Sequence, residues 1–127
     1  KVVVSTQGAH SAKEVIRATD SSPTGLPLVV LVNGKTASAS EIVTGALQDY
    51  RRGTVIGTRT FGKGVVQTAL PLSGGAELKI TIASYRTPLG RDINHKGLEP
   101  SIVVAQHAGT STDRVLARAL QFIATGH

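Results

Sequence analysis

The stretch from Leu28 to Gly57 constrains this chain most, because its hydrophobic period changes twice. Leu28 to Val32 is a continuous apolar run bounded by Pro27 and Asn33-Gly34. Its length and β-branched content predict a central parallel strand covered on both faces. From Ser38 to about Arg51 the spacing becomes helical: Ala39, Ile42, Val43, Ala46, Leu47 and Tyr50 form one apolar stripe, opposite Ser40, Glu41, Thr44 and Gln48. Arg51 and Arg52 suit the negative end of such a helix, and Gly53 supplies a stop. Thr54 to Gly57 then reads as a strand again. Strand, helix, strand in this order is a crossover unit, which implies an α/β fold with a mostly parallel sheet and a right-handed connection.

The flanks add a strand at Lys1–Ser5 and a short helix capped by Ser11, with Glu14 three residues on, ending near Thr19. Val65–Leu72 and Ala76–Arg86, separated by Ser73-Gly74-Gly75, predict an antiparallel strand pair. In its second strand Ala76, Leu78, Ile80 and Ile82 alternate with Glu77, Lys79 and Thr81, giving one dry and one wet face. Residues 87–100 read as turns and Ile102–Val104 as a last strand. Thr112 or Asp113 caps a final helix with Val115, Leu116, Ala119, Leu120 and Ile123 as its apolar face.

No internal repeat or linker divides residues 1–127, so a single domain is expected. A domain of this size buries roughly two-thirds of its unfolded surface, enough to fold without staples. The absence of cysteine excludes disulfides, thiol catalysis and cysteine metal sites together. The formal charge of +6 suits an acidic surface or partner. With aromatics at 3% there is little to stack on bases, so nucleic acid is not the expected partner. No apolar run reaches the roughly 18 residues of a membrane span.

The chemistry concentrates in Asn33-Gly34-Lys35-Thr36-Ala37-Ser38-Ala39-Ser40-Glu41, at a strand-to-helix junction. A serine there lies over free backbone N–H groups at the positive end of the helix dipole, a ready oxyanion site for acyl transfer. Ser38 and Ser40 compete for the roles of cap and nucleophile, and Glu41 can complete a capping box with Ser38. None of His10, His95, His107 and His127 has a Gly-x-Ser-x-Gly elbow or an acid partner nearby. A lysine serves as base when desolvation or neighbouring charge holds it neutral, and Lys63 stands out between Gly62 and Gly64. Gly57-x-x-x-x-Gly62-Lys63 also matches a phosphate-binding loop by spacing. However, Gly64 replaces the magnesium-binding hydroxyl, and a strand follows where a helix is needed. His-Glu-x-x-His is absent, and Asp49, Glu77, Asp92 and Glu99 form no obvious pair, so neither metal nor cofactor is expected.

The segments PLVVLVNGKTASASEIVTGALQD, VIGTRTFGKGVVQTALPL and AELKITIASYRTPLGRDINHKGLEPSIVV closely resemble the C-terminal processing peptidases, or tail-specific proteases. The resemblance keeps its motifs in order over nearly the whole chain. It implies Ser38 as nucleophile, Lys63 as general base, Gln67 as the residue orienting that lysine, and the N–H of Ala39 as an oxyanion donor. It implies a partial crotonase/ClpP-like core, here a catalytic-core fragment without the upstream Gly-rich oxyanion segment or the PDZ module of a parent chain. The implied substrate is a protein or peptide with a free C-terminus. Homo-oligomers and an extracytoplasmic location are implied too, in the bacterial periplasm or cell envelope, or alternatively the thylakoid lumen. Lys35-Thr36 departs from the family, whose members often carry a small or apolar residue followed by serine.

In the implied mechanism neutral Lys63 takes the Ser38 proton, the ammonium protonates the leaving amine, and water releases the acyl group by the same route. Four residues of full strand would separate Gln67 from Lys63 by roughly 13 Å, so a bend at Gly64 is expected, or a lysine reaching back. The competing readings are a non-catalytic peptide-binding or assembly domain on a crotonase-like scaffold, favoured by a solvated Lys63, and a crotonase-like acyl-CoA enzyme.

Overall fold

The computed structural model describes residues 1–9, 12–20, 22, 24–107, 109 and 111–126. Along the chain run β1 (Val2–Gln7), β2 (Glu14–Arg17), β3 (Val29–Val32), α1 (Ala39–Asp49), β4 (Thr54–Gly57), β5 (Val65–Pro71), β6 (Glu77–Arg86), β7 (Ile102–Val103) and α2 (Arg114–Thr125). A 3-10 turn, Ser73–Gly75, joins β5 to β6. The expected crossover is present: β3 and β4 pair in parallel from Val29 opposite Thr54 to Val32 opposite Gly57, with α1 between them in sequence. Strand β7 joins the far side of β4, giving the order β3-β4-β7. The central strand is therefore the short β4, not the apolar run of β3. Val55 and Ile56 are fully buried, whereas Leu31 keeps 42% exposure. Burial follows the number of neighbouring strands, which an apolar run does not reveal by itself.

The second sheet is antiparallel, in the order β2-β1-β6-β5. It has more strands than the first, so the fold is mixed α/β rather than mostly parallel. Its outermost strand β2 occupies the stretch where a helix was expected. Thr6 faces Glu14, Val4 faces Ile16, and the Ala18 N–H donates to the Lys1 carbonyl. The β-branched pair Val15-Ile16 favours strand, and β1 offers an open edge that outweighs the capping signal. Ser11, the expected cap, lies outside the described residues.

The hairpin β5–β6 forms as expected, with Leu70 opposite Leu78 and Thr68 opposite Ile80. Val66 faces Ala83 while Gln67 faces Thr81, so Ile82 is an extra residue that breaks the alternation. The expected dry face is bare: Leu70, Leu78, Ile80 and Ile82 are all exposed. The core itself is small, built from Val4, Val32, Val55, Ile56, Ile93, Leu98 and Ala119. At the C-terminal end Asp113 caps α2, its side chain accepting the Leu116 N–H. Of the helix's expected apolar face Ala119 is buried, whereas Leu116, Leu120 and Ile123 are exposed.

Helix α1 reverses another expectation. Glu41 and Thr44, assigned to its polar face, are buried, while Val43 is 53% exposed. The helix stops at Asp49 with Tyr50 as its C-cap, and the positive-φ residue that follows is Arg51 rather than Gly53. Arg51 takes φ 51°, its N–H donates to the Gln48 carbonyl, and the Arg52 N–H donates to Leu47. The Arg52 guanidinium donates to the carbonyls of Thr24 and Leu26, tying down the chain before β3.

Glu41 is buried because two segments, the turn at Ser38 and residues 60–63, place donors around its carboxylate. Oε1 accepts from the Thr60 hydroxyl at 2.5 Å and the Gly62 N–H at 2.7 Å. Oε2 accepts from the Lys63 N–H at 2.9 Å and the Ser38 N–H at 3.0 Å. A buried carboxylate otherwise carries a desolvation penalty of several kcal/mol, and charge-assisted bonds of this kind offset it. Two glycines let the chain come this close. Gly57 has φ 139°, and a Cβ there would lie 1.8 Å from the Val32 carbonyl oxygen. Gly62 has φ 88°, and its Cβ would lie 2.8 Å from the Gly97 nitrogen.

Two substitutions test this frame by urea denaturation. Gly57→Ala adds both backbone strain and overlap with β3, and is expected to remove about 3 kcal/mol of stability or more. Glu41→Gln keeps the volume but turns an NH2 toward N–H donors. Its expected loss is about 3 kcal/mol, from donors left without an acceptor.

Candidate active site

Three loops meet around Glu41. In the first, residues 33–38, the Asn33 side chain accepts the Lys35 N–H at 2.9 Å and the Thr36 hydroxyl accepts the Asn33 N–H at 3.0 Å. These Asx- and Thr-type bonds set the turn between β3 and α1. The second, residues 58–64, is held to the first by the Phe61 N–H, which donates to the Thr36 carbonyl at 2.9 Å. The third, residues 92–98, is held to the second by the His95 N–H on the Gly62 carbonyl and the Leu98 N–H on the Thr60 hydroxyl.

Ser38 precedes the first helical residue and adopts φ 56°, ψ −122°. A non-glycine residue there stores about 1–3 kcal/mol of strain. The surroundings hold it: its N–H is on Glu41 Oε2, and its carbonyl accepts the N–H groups of Glu41 and Ile42. Glu41 forms the expected capping box with Ser38, its carboxylate accepting the Ser38 N–H at 3.0 Å. Ser40, its rival, is an exposed residue of α1 whose carbonyl accepts the Thr44 hydroxyl. The Ala39 N–H, in the first turn of α1, has no acceptor among the described residues. It is a free donor at the positive end of the helix.

Lys63 is brought to Ser38 through its backbone. Both N–H groups donate to the same oxygen of Glu41, so the two nitrogens are separated by no more than the sum of 2.9 and 3.0 Å. The Lys63 side chain is exposed, and its ammonium has no ion pair or hydrogen bond among the described residues. Gln67 is also exposed and lies on β5, its amide donating to the Thr81 hydroxyl at 3.4 Å. No hydrogen bond joins Gln67 to Lys63 or Ser38 among the described residues. The bend expected at Gly64 falls instead at Gly62, ahead of the lysine. Gly64 already belongs to the ladder, its carbonyl accepting the Tyr85 N–H at 2.8 Å.

The phosphate-loop spacing has a structural explanation. The N–H groups of Gly62 and Lys63 are taken by Glu41, and that of Gly64 by the Asn94 side chain at 3.3 Å. The loop is a backbone nest whose anion is an internal carboxylate. Sequence reasoning missed Glu41 in this bridging role, along with Thr60 and Asn94. The capping-box spacing signalled only that Glu41 reaches Ser38. Of the histidines, His95 is exposed and His107 lines a cavity, while His10 and His127 lie outside the described residues. No cluster suited to a metal occurs among the described residues.

A strained serine, a free N–H one residue on, and a lysine anchored to the same carboxylate are parts that acyl transfer can use. An open groove of about 450 Å³ beside Ala39, walled by Val30, Leu31, Val32 and Val43, adds an apolar surface.

Residues 1–104 match the profile of Peptidase family S41. The carboxyl-terminal-processing protease of Synechocystis is 47% identical over 104 residues, covering 82% of this chain and 24% of that protein. The carboxyl-terminal-processing protease of Picosynechococcus is 42% identical, covering 97% of this chain and 31% of that one. Among solved structures, the photosystem II D1 C-terminal processing protease superposes with a TM-score of 0.71 at 43% identity, over 81% of this chain and 27% of that one. The chain thus spans about a quarter to a third of the length of these relatives. With its 104 matched residues carrying the strained serine, the anchored lysine and the carboxylate between them, the chain belongs to peptidase family S41.

Proposed function

We propose that this chain is the core of a serine endopeptidase that cleaves proteins near their C-termini, with Ser38 as nucleophile and Lys63 as general base. The observation that carries this reading is the meeting of the Ser38 and Lys63 N–H groups on one oxygen of Glu41. Lys63 in its uncharged form accepts the Ser38 proton as the hydroxyl oxygen attacks a peptide carbonyl. The resulting ammonium protonates the leaving amine, and water then releases the acyl group with the same lysine as base. The Ala39 N–H donates to the oxyanion, and Gln67 orients the lysine. A single donor of this kind is worth about 3 kcal/mol in the transition state.

An extended substrate docks by strand addition along β5, which is the terminal strand of its sheet among the described residues. A second oxyanion donor and a PDZ module come from the additional length that relatives carry. The scaffold is crotonase/ClpP-like, and the chain acts outside the cytoplasm, in the bacterial envelope or the thylakoid lumen. The relatives include a cyanobacterial protease and a chloroplastic C-terminal processing peptidase, which supports that location. No helix among the described residues is long and apolar enough to cross a membrane. Homo-oligomerisation belongs to the same reading.

One observation favours a second reading, a non-catalytic peptide-binding or assembly domain: the Lys63 ammonium stands in solvent without a partner. Cleavage of a peptide with a free apolar C-terminus decides between them, with the chain assayed alone and joined to the additional length of its relatives. Ser38→Ala is expected to abolish turnover and Lys63→Ala to lower kcat by about 10²–10⁴, both with folding retained. Gln67→Ala is expected to lose less than either, and Lys35→Ala to keep kcat. Unchanged cleavage in both Ser38→Ala and Lys63→Ala would overturn the assignment.

A further inference from the structure

The three loops around Ser38 carry an uneven distribution of charge. Lys35 lies in the first, Arg59 and Lys63 in the second, and Lys96 in the third. The loops are held together by the Phe61, His95 and Thr60 backbone bonds and by the Arg59 guanidinium on the Lys96 carbonyl at 3.2 Å. The acids nearby are already committed. Glu41 is enclosed by four donors, Glu99 pairs with Arg59, and Asp92 pairs with Arg86 at 3.2 Å. Lys35 and Lys96 are exposed, and neither ammonium has an ion pair or hydrogen bond among the described residues.

An independent feature adjoins Lys35. A cavity of about 580 Å³ opens at the carboxyl ends of β3, β4 and β7, where ligands of open α/β sheets bind. Val32, Val104 and Val115 wall it, and Lys35, His107 and Asp113 contribute its ionisable side chains. Among the described residues Asp113 makes no ion pair with Lys35, and its carboxylate accepts the Leu116 N–H.

We propose that this rim makes the site selective for peptides with a carboxylate close to the scissile bond, through Lys35 and Lys96. The inference rests on the peptidase reading for where the peptide lies. A carboxylate meeting two unpaired ammonium groups gains attraction that a neutral isostere lacks, and the cavity beside Lys35 accepts the apolar body of the same residue. Because the lysines are exposed, the gain is modest and salt-sensitive, and it acts on binding rather than on the chemical step. The carboxylate has two sources, a Glu or Asp side chain and the α-carboxylate of the substrate's own terminus.

The test is a binding measurement on the full chain carrying Ser38→Ala, by fluorescence anisotropy with labelled extended apolar peptides. One pair differs by Glu against Gln at an internal position, the other by a free against an amidated C-terminus, which separates the two sources. The acidic member of at least one pair is expected to bind about three- to fivefold tighter at low salt. That preference should vanish in the double variant Lys35→Gln/Lys96→Gln and persist in Lys79→Gln, whose charge sits out on the β5–β6 hairpin. Equal binding within both pairs, a preference surviving the double variant, or an equal loss in Lys79→Gln would overturn the proposal, the last by assigning the effect to overall charge. Turnover by the chain with Ser38 intact, joined to the additional length of its relatives, separates the two readings. Cleavage without carboxylate preference sinks the rim alone, and preference without cleavage sinks the peptidase reading alone.

Discussion

The carboxylate of Glu41 is the constraint on which the site depends. A glutamate at this depth persists only where its oxygens find enough donors, and here the donors come from two places in the sequence, Ser38 and residues 60–63. The carboxylate therefore does what a disulfide or metal does elsewhere, joining segments that neither pair in a sheet nor share a helix. It also stabilises the left-handed backbone of Ser38, whose N–H it accepts and whose carbonyl begins the helix.

The glycines take their meaning from the same arrangement. Gly57 lies against the Val32 carbonyl, Gly62 against the backbone of 95–97, and Gly64 against Asn94. A side chain at Gly57 would push β4 away from β3, and one at Gly62 or Gly64 would push residues 58–64 away from residues 92–98. The likeness to a phosphate-binding loop reflects shared physics. Successive N–H groups turned inward make an anion site, and whether the anion is a nucleotide or a glutamate of the same chain depends on what the fold delivers.

Around this centre the described residues leave unpaired edges on β3 and β5 and bare apolar side chains on the hairpin and α2. Unpaired edges are pairing surfaces by default. The peptidase reading gives the β5 edge to an extended substrate. The carboxylate-selective rim gives a role to a lysine, Lys35, that departs from the family pattern.

Much of the architecture was legible from residues 28–57, where two changes of period announce β3, α1 and β4. The hairpin and α2 were equally plain, with Thr112 and Asp113 both open as its cap, and the junction at Ser38 concentrated the candidate chemistry. Those features depend on neighbours within one or two turns of chain, and local patterns record such neighbours. The chain could not disclose which strand lies in the middle of the parallel sheet. Nor could it show that Val15-Ile16 would extend along β1 instead of coiling, or that the side of α1 bearing Glu41 and Thr44 would turn inward. Each of these is decided by partners distant in sequence: a strand on both sides of β4, the open edge of β1, and the Thr60, Gly62 and Lys63 donors around one carboxylate. Sequence alone determined the pieces and the serine, and tertiary structure decided their depth and the bridge to the lysine, because burial and hydrogen-bond satisfaction belong to pairs of segments rather than to either one.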